Sequence, residues 1–333
     1  MAVTIQDIKK LRDLTGAGLS DCKKALIESD NDQTKALELI RKRGQAIAAK
    51  REDRNAAQGI AKGKSTADGK FAAIVALKCE TDFVAKNAKF VALADNILDM
   101  AINNKVKTAD ELLAMKIEDK TVAETITALS GITGEKMELG AYECLEAPTT
   151  CVYNHFNGML SAAVAFNMEN VDTEVAKAVA MQVASMNPIK ATRAQIPQET
   201  IDEEFKLAVD KSRSEQVTKA VNAALKKAGF NEYYCATEEH RDEAVRKGYM
   251  TQEQVEQALK IMDETAKQKE ANMPEQMIQN IANGRMKKFY EENVLMEQVY
   301  EASENKETIA EFLDKACKGL EAVDMKRVNL NLD

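Results

Sequence analysis

From residue 71 to residue 79 the chain changes its hydrophobic period. Phe71, Ala73, Val75, Leu77 and Cys79 alternate with smaller or polar neighbours, the two-residue repeat of a strand. The run stops at Glu80. Thr81 then stands where it can cap a helix continuing to about residue 103, with Val84, Ala88, Val91 and Leu98 on one face. A strand that turns straight into a helix, within a chain whose other apolar residues mostly repeat at helical spacing, predicts an α+β fold that is mostly helical. Composition supports that balance: only 4 of 333 residues are proline, and Ala, Lys, Glu and Gln are abundant.

Residues 1–54 read as a small three-helix module. Thr4 with Asp7 resembles a capping box, Ile5, Ile8 and Leu11 recur at helical spacing, and residues 15–18 stop the helix. A second helix over 19–27 turns Cys22, Ala25 and Leu26 inward. A third follows the turn at 29–32, with Ala36, Leu37, Ile40 and Ile47 inward. Residues 41–70 are basic, Ala/Gly-rich and weakly periodic, which predicts a hinged linker up to about residue 70.

An α+β core is expected over 71–199. It comprises helices near 108–115 and 121–129, strands over 137–146, 151–156 and 159–167, and a helix over 173–186 that ends at Asn187-Pro188. Asn157-Gly158 reads as a type I′ hairpin turn, which needs positive φ at both residues. Residues 200–293 carry narrow apolar stripes that suit a helical hairpin or coiled coil, with Thr200/Glu203 and Thr251/Gln254 as capping boxes. Residues 294–333 return to the core as a helix and a final strand.

The residue inventory excludes much chemistry. Two histidines, His155 and His240, leave little for imidazole catalysis, and no Ser/His/Asp arrangement can be drawn. Cys144, Cys151 and His155 lie near one another in sequence, but their spacing is not that of a zinc site; they read as small side chains on strands. Six scattered cysteines without a CxxC pair read as reduced thiols. The run Gly-Ile-Ala-Lys-Gly-Lys-Ser at 59–65 is one residue short of a phosphate loop and precedes the strand it should follow, so Lys62 and Lys64 read as solvated charges. The expectation is no catalytic residue, no metal and no cofactor.

Charge bears on partners. The chain has 46 basic and 54 acidic residues, a formal balance of −8, which argues against direct nucleic-acid binding. Residues 1–54 nevertheless hold twelve basic and nine acidic side chains, so a mildly basic module, at +3, precedes a body at −11. No stretch approaches the ~18 apolar residues of a membrane span, and residues 1–11 carry neither a signal core nor a transit composition, so a cytoplasmic protein is expected.

One corner stands out, Cys79-Glu80-Thr81-Asp82-Phe83-Val84-Ala85-Lys86-Asn87. Thr81 and Asp82 could be simple caps, and Phe83 shares helical register with Phe90, Ala94 and Ile97, so spacing fits a core position as well as an exposed one. A rigid corner is also a good place to offer an acid and an aromatic ring to a partner.

Two segments carry a resemblance. Residues 11–26, Leu-Arg-Asp-Leu-Thr-Gly-Ala-Gly-Leu-Ser-Asp-Cys-Lys-Lys-Ala-Leu, resemble the N-terminal signature of the elongation factor Ts family, and residues 80–87, Glu-Thr-Asp-Phe-Val-Ala-Lys-Asn, resemble its second. Residues 284–289 and 180–184 are similar to two further family segments, and the likeness runs, with gaps, over most of 3–325. It implies a ubiquitin-associated-like N-terminal domain and a guanine nucleotide exchange factor for elongation factor Tu, the GTPase that delivers aminoacyl-tRNA. It further implies that Thr81, Asp82, Phe83 and Val84 disturb the magnesium site, and that Arg12, Gly16, Gly18 and Lys23 dock the N-terminal module. His155, Gly158 and Gln182 are implied as core contacts in a heterodimer or higher complex. The chain departs from the family at Ala76 and Lys78, where Glu and Asn are usual, and in the hairpin 156–161, which lacks an Arg and a second Gly. Residues 206–265 look like an insertion in the coiled-coil hairpin, and a C-terminal module of many relatives is expected to be absent. The rival expectation is a helical adaptor or chaperone-like protein that binds polypeptides without a GTPase partner.

Overall fold

The computed structural model describes residues 3–15, 17–51 and 53–331. The fold is α+β and mostly helical, and it divides into two compact units, Met1–Thr192 with Asn293–Asp333, and Arg193–Glu292.

The first unit opens with α1 (Ile5–Thr15), α2 (Leu19–Glu28) and α3 (Gln33–Ala49). Thr4 and Asp7 bond reciprocally through backbone and side chain, and the Asp32 carboxylate caps α3 by accepting the Thr34 and Lys35 amides. Leu11, Cys22, Ala25, Leu26, Ala36 and Ile40 close a thin core between the three helices.

Residues 41–70 are not a linker. Helix α3 runs to Ala49, and Gln58–Ser65 is strand β1, paired antiparallel with β2 (Phe71–Cys79). The strand hides from a hydrophobicity reading because its two faces meet unlike neighbours. Lys62 and Lys64 lie toward a helix and pair with Asp95 and Asp99, each at 2.6 Å, while Ala61 and Gly63 face a second sheet too close for larger side chains. A Cβ on Gly63 would stand 2.7 Å from Val152. Lysines on such an edge strand also discourage pairing with other chains.

The helix expected from residue 81 to 103 is broken into α4 (Asp82–Ala85) and α5 (Ala88–Asn103), because the Asn87 side chain accepts the Lys89 amide and starts a new helix. The restart rotates the apolar face: Phe90, Leu93, Ala94, Ile97, Leu98 and Ala101 are buried, and Phe83 falls out of register with them. Then come α6 (Ala109–Ala114), the short ribbon β3 (Lys116–Ile117) and β4 (Lys120–Thr121), α7 (Val122–Thr133) and β5 (Met137–Glu146). The first sheet has the order β1-β2-β5, with a bulge where Gly140 gives room to the Lys78 stem.

Strands β6 (Thr149–Asn154) and β7 (Leu160–Phe166) form the hairpin. Its turn is not type I′: only Gly158 of the Asn-Gly pair has positive φ, 70°, and the Gly158 amide donates to the His155 carbonyl at 3.0 Å across a longer loop. Helix α8 (Thr173–Met186) packs on this second sheet.

The second unit holds α9 (Gln198–Lys227), α10 (Glu232–Cys235), α11 (Glu238–Arg246), α12 (Gln252–Ala271) and α13 (Glu275–Asn293). Thr200 and Glu203 are the third and sixth residues of α9, which starts after Pro197, whereas Thr251 and Gln254 do form a capping box. The C-terminal half of α9 packs with α12 around Val221, Leu225 and Val255, and its N-terminal half with α13 through Ala208, Ala282 and Met286. Back in the first unit, α14 (Ile309–Ala316) joins the core beside α8, and β8 (Ala322–Asn329) completes the order β6-β7-β8.

Strand β2 is buried on both faces. Phe71, Ala73, Val75, Leu77 and Cys79 face α5 and α7, while Ala72, Ile74 and Ala76 meet Ala163, Ala165 and Val328 of the second sheet. The small neighbours seen in the alternation are therefore an inter-sheet contact.

Candidate functional site

The strand-to-helix corner is an exposed feature of the first unit that is braced by side chains distant in sequence. Glu80 and Thr81, just before it, are held from other elements, and Cys79 by a local bond. The Cys79 thiol donates to the Thr81 carbonyl at 3.2 Å, and burial pushes its pKa up to about 12, so it stays a thiol. The Glu80 carboxylate accepts the Lys136 amide at 2.6 Å and Arg51 Nη1 at 3.0 and 3.1 Å. Thr81 occupies the cap position of α4 without capping it. Its amide and hydroxyl instead donate to the two oxygens of Glu135, at 3.0 and 2.6 Å.

Beyond these braces the chain is open to solvent. Asp82 is exposed and pairs with Lys86 one turn on, at 2.7 Å; that bond lowers its pKa below the usual carboxylate range. Phe83 is 84% exposed, and Val84 packs partly against the core beneath. Of the two positions the spacing allowed Phe83, the exposed one is found.

Other singled-out residues fall elsewhere in the first unit. His155 and Gln182 line one cleft of about 310 Å³, with Met181, Ser185, Tyr300 and Glu301. Gln182 is only 2% exposed, and its amide is engaged: it donates to Gln298 and to the Val299 carbonyl and accepts the Glu301 amide. It shapes the cleft rather than offering a free polar group. The His155 Nδ1 lies 3.0 Å from the Tyr153 hydroxyl. Gly158 lies in the hairpin loop, where its carbonyl accepts the Ala61 amide at 2.7 Å, close in sequence to Phe156, which is 92% exposed.

Arg12 and Lys23 are exposed on α1 and α2, and Gly18 precedes α2 in an extended conformation; Gly16 lies outside the described residues. Gly18 and the exposed Leu14 border a cavity of about 570 Å³ whose other walls include Ile40 of α3 and Ala128 of α7.

The run at 59–65 is strand, and its geometry is unlike that of a phosphate loop. The Gly63 amide, which such a loop would turn toward a phosphate, donates to Asn154 Oδ1 at 2.7 Å. Cys144 and Cys151 sit on β5 and β6, and both pKa values are raised by burial. Nothing in the sequence marks Arg51 and Glu135 as site residues. Their role depends on contacts across 29 and 54 positions, which leave no local signal.

A family model described as Elongation factor TS matches residues 80–237 and 239–331. The chain is 48% identical to the elongation factor Ts of Bacteroides thetaiotaomicron and 49% to that of Bacteroides fragilis, each over 334 residues and 100% of both chains. It is 41% identical to the elongation factor Ts of Porphyromonas gingivalis, again over 100% of both chains. Residues 206–265 therefore lie inside the region these relatives share.

Proposed function

The chain belongs to the elongation factor Ts family of translation elongation factors, and from that premise we propose that it is a guanine nucleotide exchange factor for elongation factor Tu. The observation that carries the reading is Phe83, a large ring 84% exposed on a corner braced by Glu80, Thr81 and Glu135. A free ring on a floppy loop would lose much of its binding energy to ordering, whereas this one is held before the partner arrives. Phe83 acts as a wedge beside the GTPase's magnesium site, with Asp82 as its polar companion. Magnesium and phosphate contacts weaken, and GDP leaves.

The thermodynamics is linkage. A factor that favours the nucleotide-free conformation lowers GDP affinity by the same ratio by which GDP lowers its own. No bond of the nucleotide breaks, so the factor requires no catalytic side chain, metal or cofactor of its own. The mildly basic module, with Arg12, Gly18 and Lys23, docks on the GTPase, and the complex forms in the cytoplasm. Stopped-flow release of a fluorescent GDP analogue from elongation factor Tu tests the reading: the protein accelerates release, and an unchanged rate at saturating protein rejects it.

A further inference from the structure

What aims Phe83 can be traced through the structure, and the argument rests on the exchange reading above. The two residues before Asp82 are held by groups that both lead back to α3. Arg51, in the turn after α3, places a single nitrogen within hydrogen-bond distance of both Glu80 oxygens, at 3.0 and 3.1 Å. The Arg54 charge also helps to lower the pKa of that carboxylate, and the Arg54 amide donates to the Arg51 carbonyl at 3.0 Å.

The second path lies along the helix. Gly44 of α3 crosses Gly131 of α7 so closely that a Cβ on Gly131 would stand 2.3 Å from the Gly44 Cα. Three residues on, Gly134 ends α7 in the left-handed region at φ 73°. The next two residues are Glu135 and Lys136, which hold Thr81 and Glu80.

We propose that Arg51 is a positioning residue for nucleotide exchange: it ties the last helix of the N-terminal module to Glu80, so that the docked module sets where Asp82 and Phe83 enter the GTPase. Arg51 acts through Glu80 and touches neither nucleotide nor magnesium. Its side chain is 36% exposed and that of Glu80 only 16%, so the pair is shielded more than a surface ion pair. Because only Nη1 makes the contact, one lysine ammonium can take its place.

The test measures release of the GDP analogue across a concentration series of wild type, Arg51→Ala, Arg51→Lys and Phe83→Ala, separating docking from the exchange step. For Arg51→Ala the saturating rate should fall about tenfold while the half-saturating concentration stays within about twofold of wild type. Arg51→Lys should recover the rate to within about threefold of wild type. A saturating rate for Arg51→Ala within about twofold of wild type overturns the proposal, as does a loss confined to the half-saturating concentration or a lysine variant as slow as the alanine one. If Arg51→Ala melts well below the wild type, Glu80→Gln carries the comparison, since it keeps an acceptor for the Lys136 amide and loses the paired charge. A saturating rate for Glu80→Gln within about twofold of wild type then overturns the proposal. Failure of the wild type to accelerate release overturns the exchange reading and this proposal together; a slow Phe83→Ala beside an unimpaired Arg51→Ala overturns this proposal alone.

Discussion

Phe83 presents an exposed aromatic ring on a braced corner, and its replacement should separate function from stability. An aromatic anchor at the centre of an interface contributes ~2–4 kcal/mol, so Phe83→Ala should slow catalysed GDP release by roughly 30-fold to several hundred-fold. The same change should leave the melting temperature nearly unaltered, because the ring is 84% exposed and supports no core. A variant that releases GDP at the wild-type rate while remaining folded would remove Phe83 as the wedge. Glu80 makes a second prediction. Its pKa lies below the ordinary 4.5 because the Lys136 amide donates to it and, next, because Arg51 pairs with it. The unfolded chain takes up the proton first as pH falls, so the stabilisation is complete above pH 4.5 and is lost as pH drops through the lower folded value. Melting curves of wild type and Glu80→Gln between about pH 3 and pH 7 should therefore converge at the acid end, and a constant gap would reject this role.

At the scale of elements, two glycines predict opposite outcomes. A methyl at Gly131 collides with the backbone of α3, so Gly131→Ala should destabilise the protein by ~1–3 kcal/mol and speed hydrogen exchange in α3, read by mass spectrometry. Slow exchange in α3 of that variant would show that the crossing does not hold the module. Gly284 lies within α13 with nothing in reach of an added Cβ, so Gly284→Ala should stabilise by ~0.4–1 kcal/mol in a denaturant titration. Legibility differed between elements for physical reasons. Helix α2 could be read directly, since Cys22, Ala25 and Leu26 face one small core. Strand β1 could not, because Lys62 and Lys64 on one face are satisfied by carboxylates of α5, while Gly59, Ala61 and Gly63 on the other are too small to register as an apolar face. The break at Asn87 was equally hidden, and with it the register that leaves Phe83 outside the core.

For the whole molecule, the linkage between nucleotide and factor predicts that saturating GDP weakens retention of elongation factor Tu on the immobilised protein. Equal retention with and without GDP would favour an adaptor that binds polypeptides independently of nucleotide. Residue order alone carries the α+β class, the three helices of the N-terminal module, the strand at 71–79, the Asp82-Phe83 pair and the poverty of catalytic groups, because each depends on local periodicity, capping or residue type. Only tertiary structure decides that the module is joined to the core without a free linker, through Gly44 against Gly131 and Arg51 against Glu80. It alone decides that Gln182 is spent on Gln298 and Val299, and that Phe83 faces solvent. These depend on pairs separated by 29 to 117 positions, whose contact energies exist only after the chain has closed those loops.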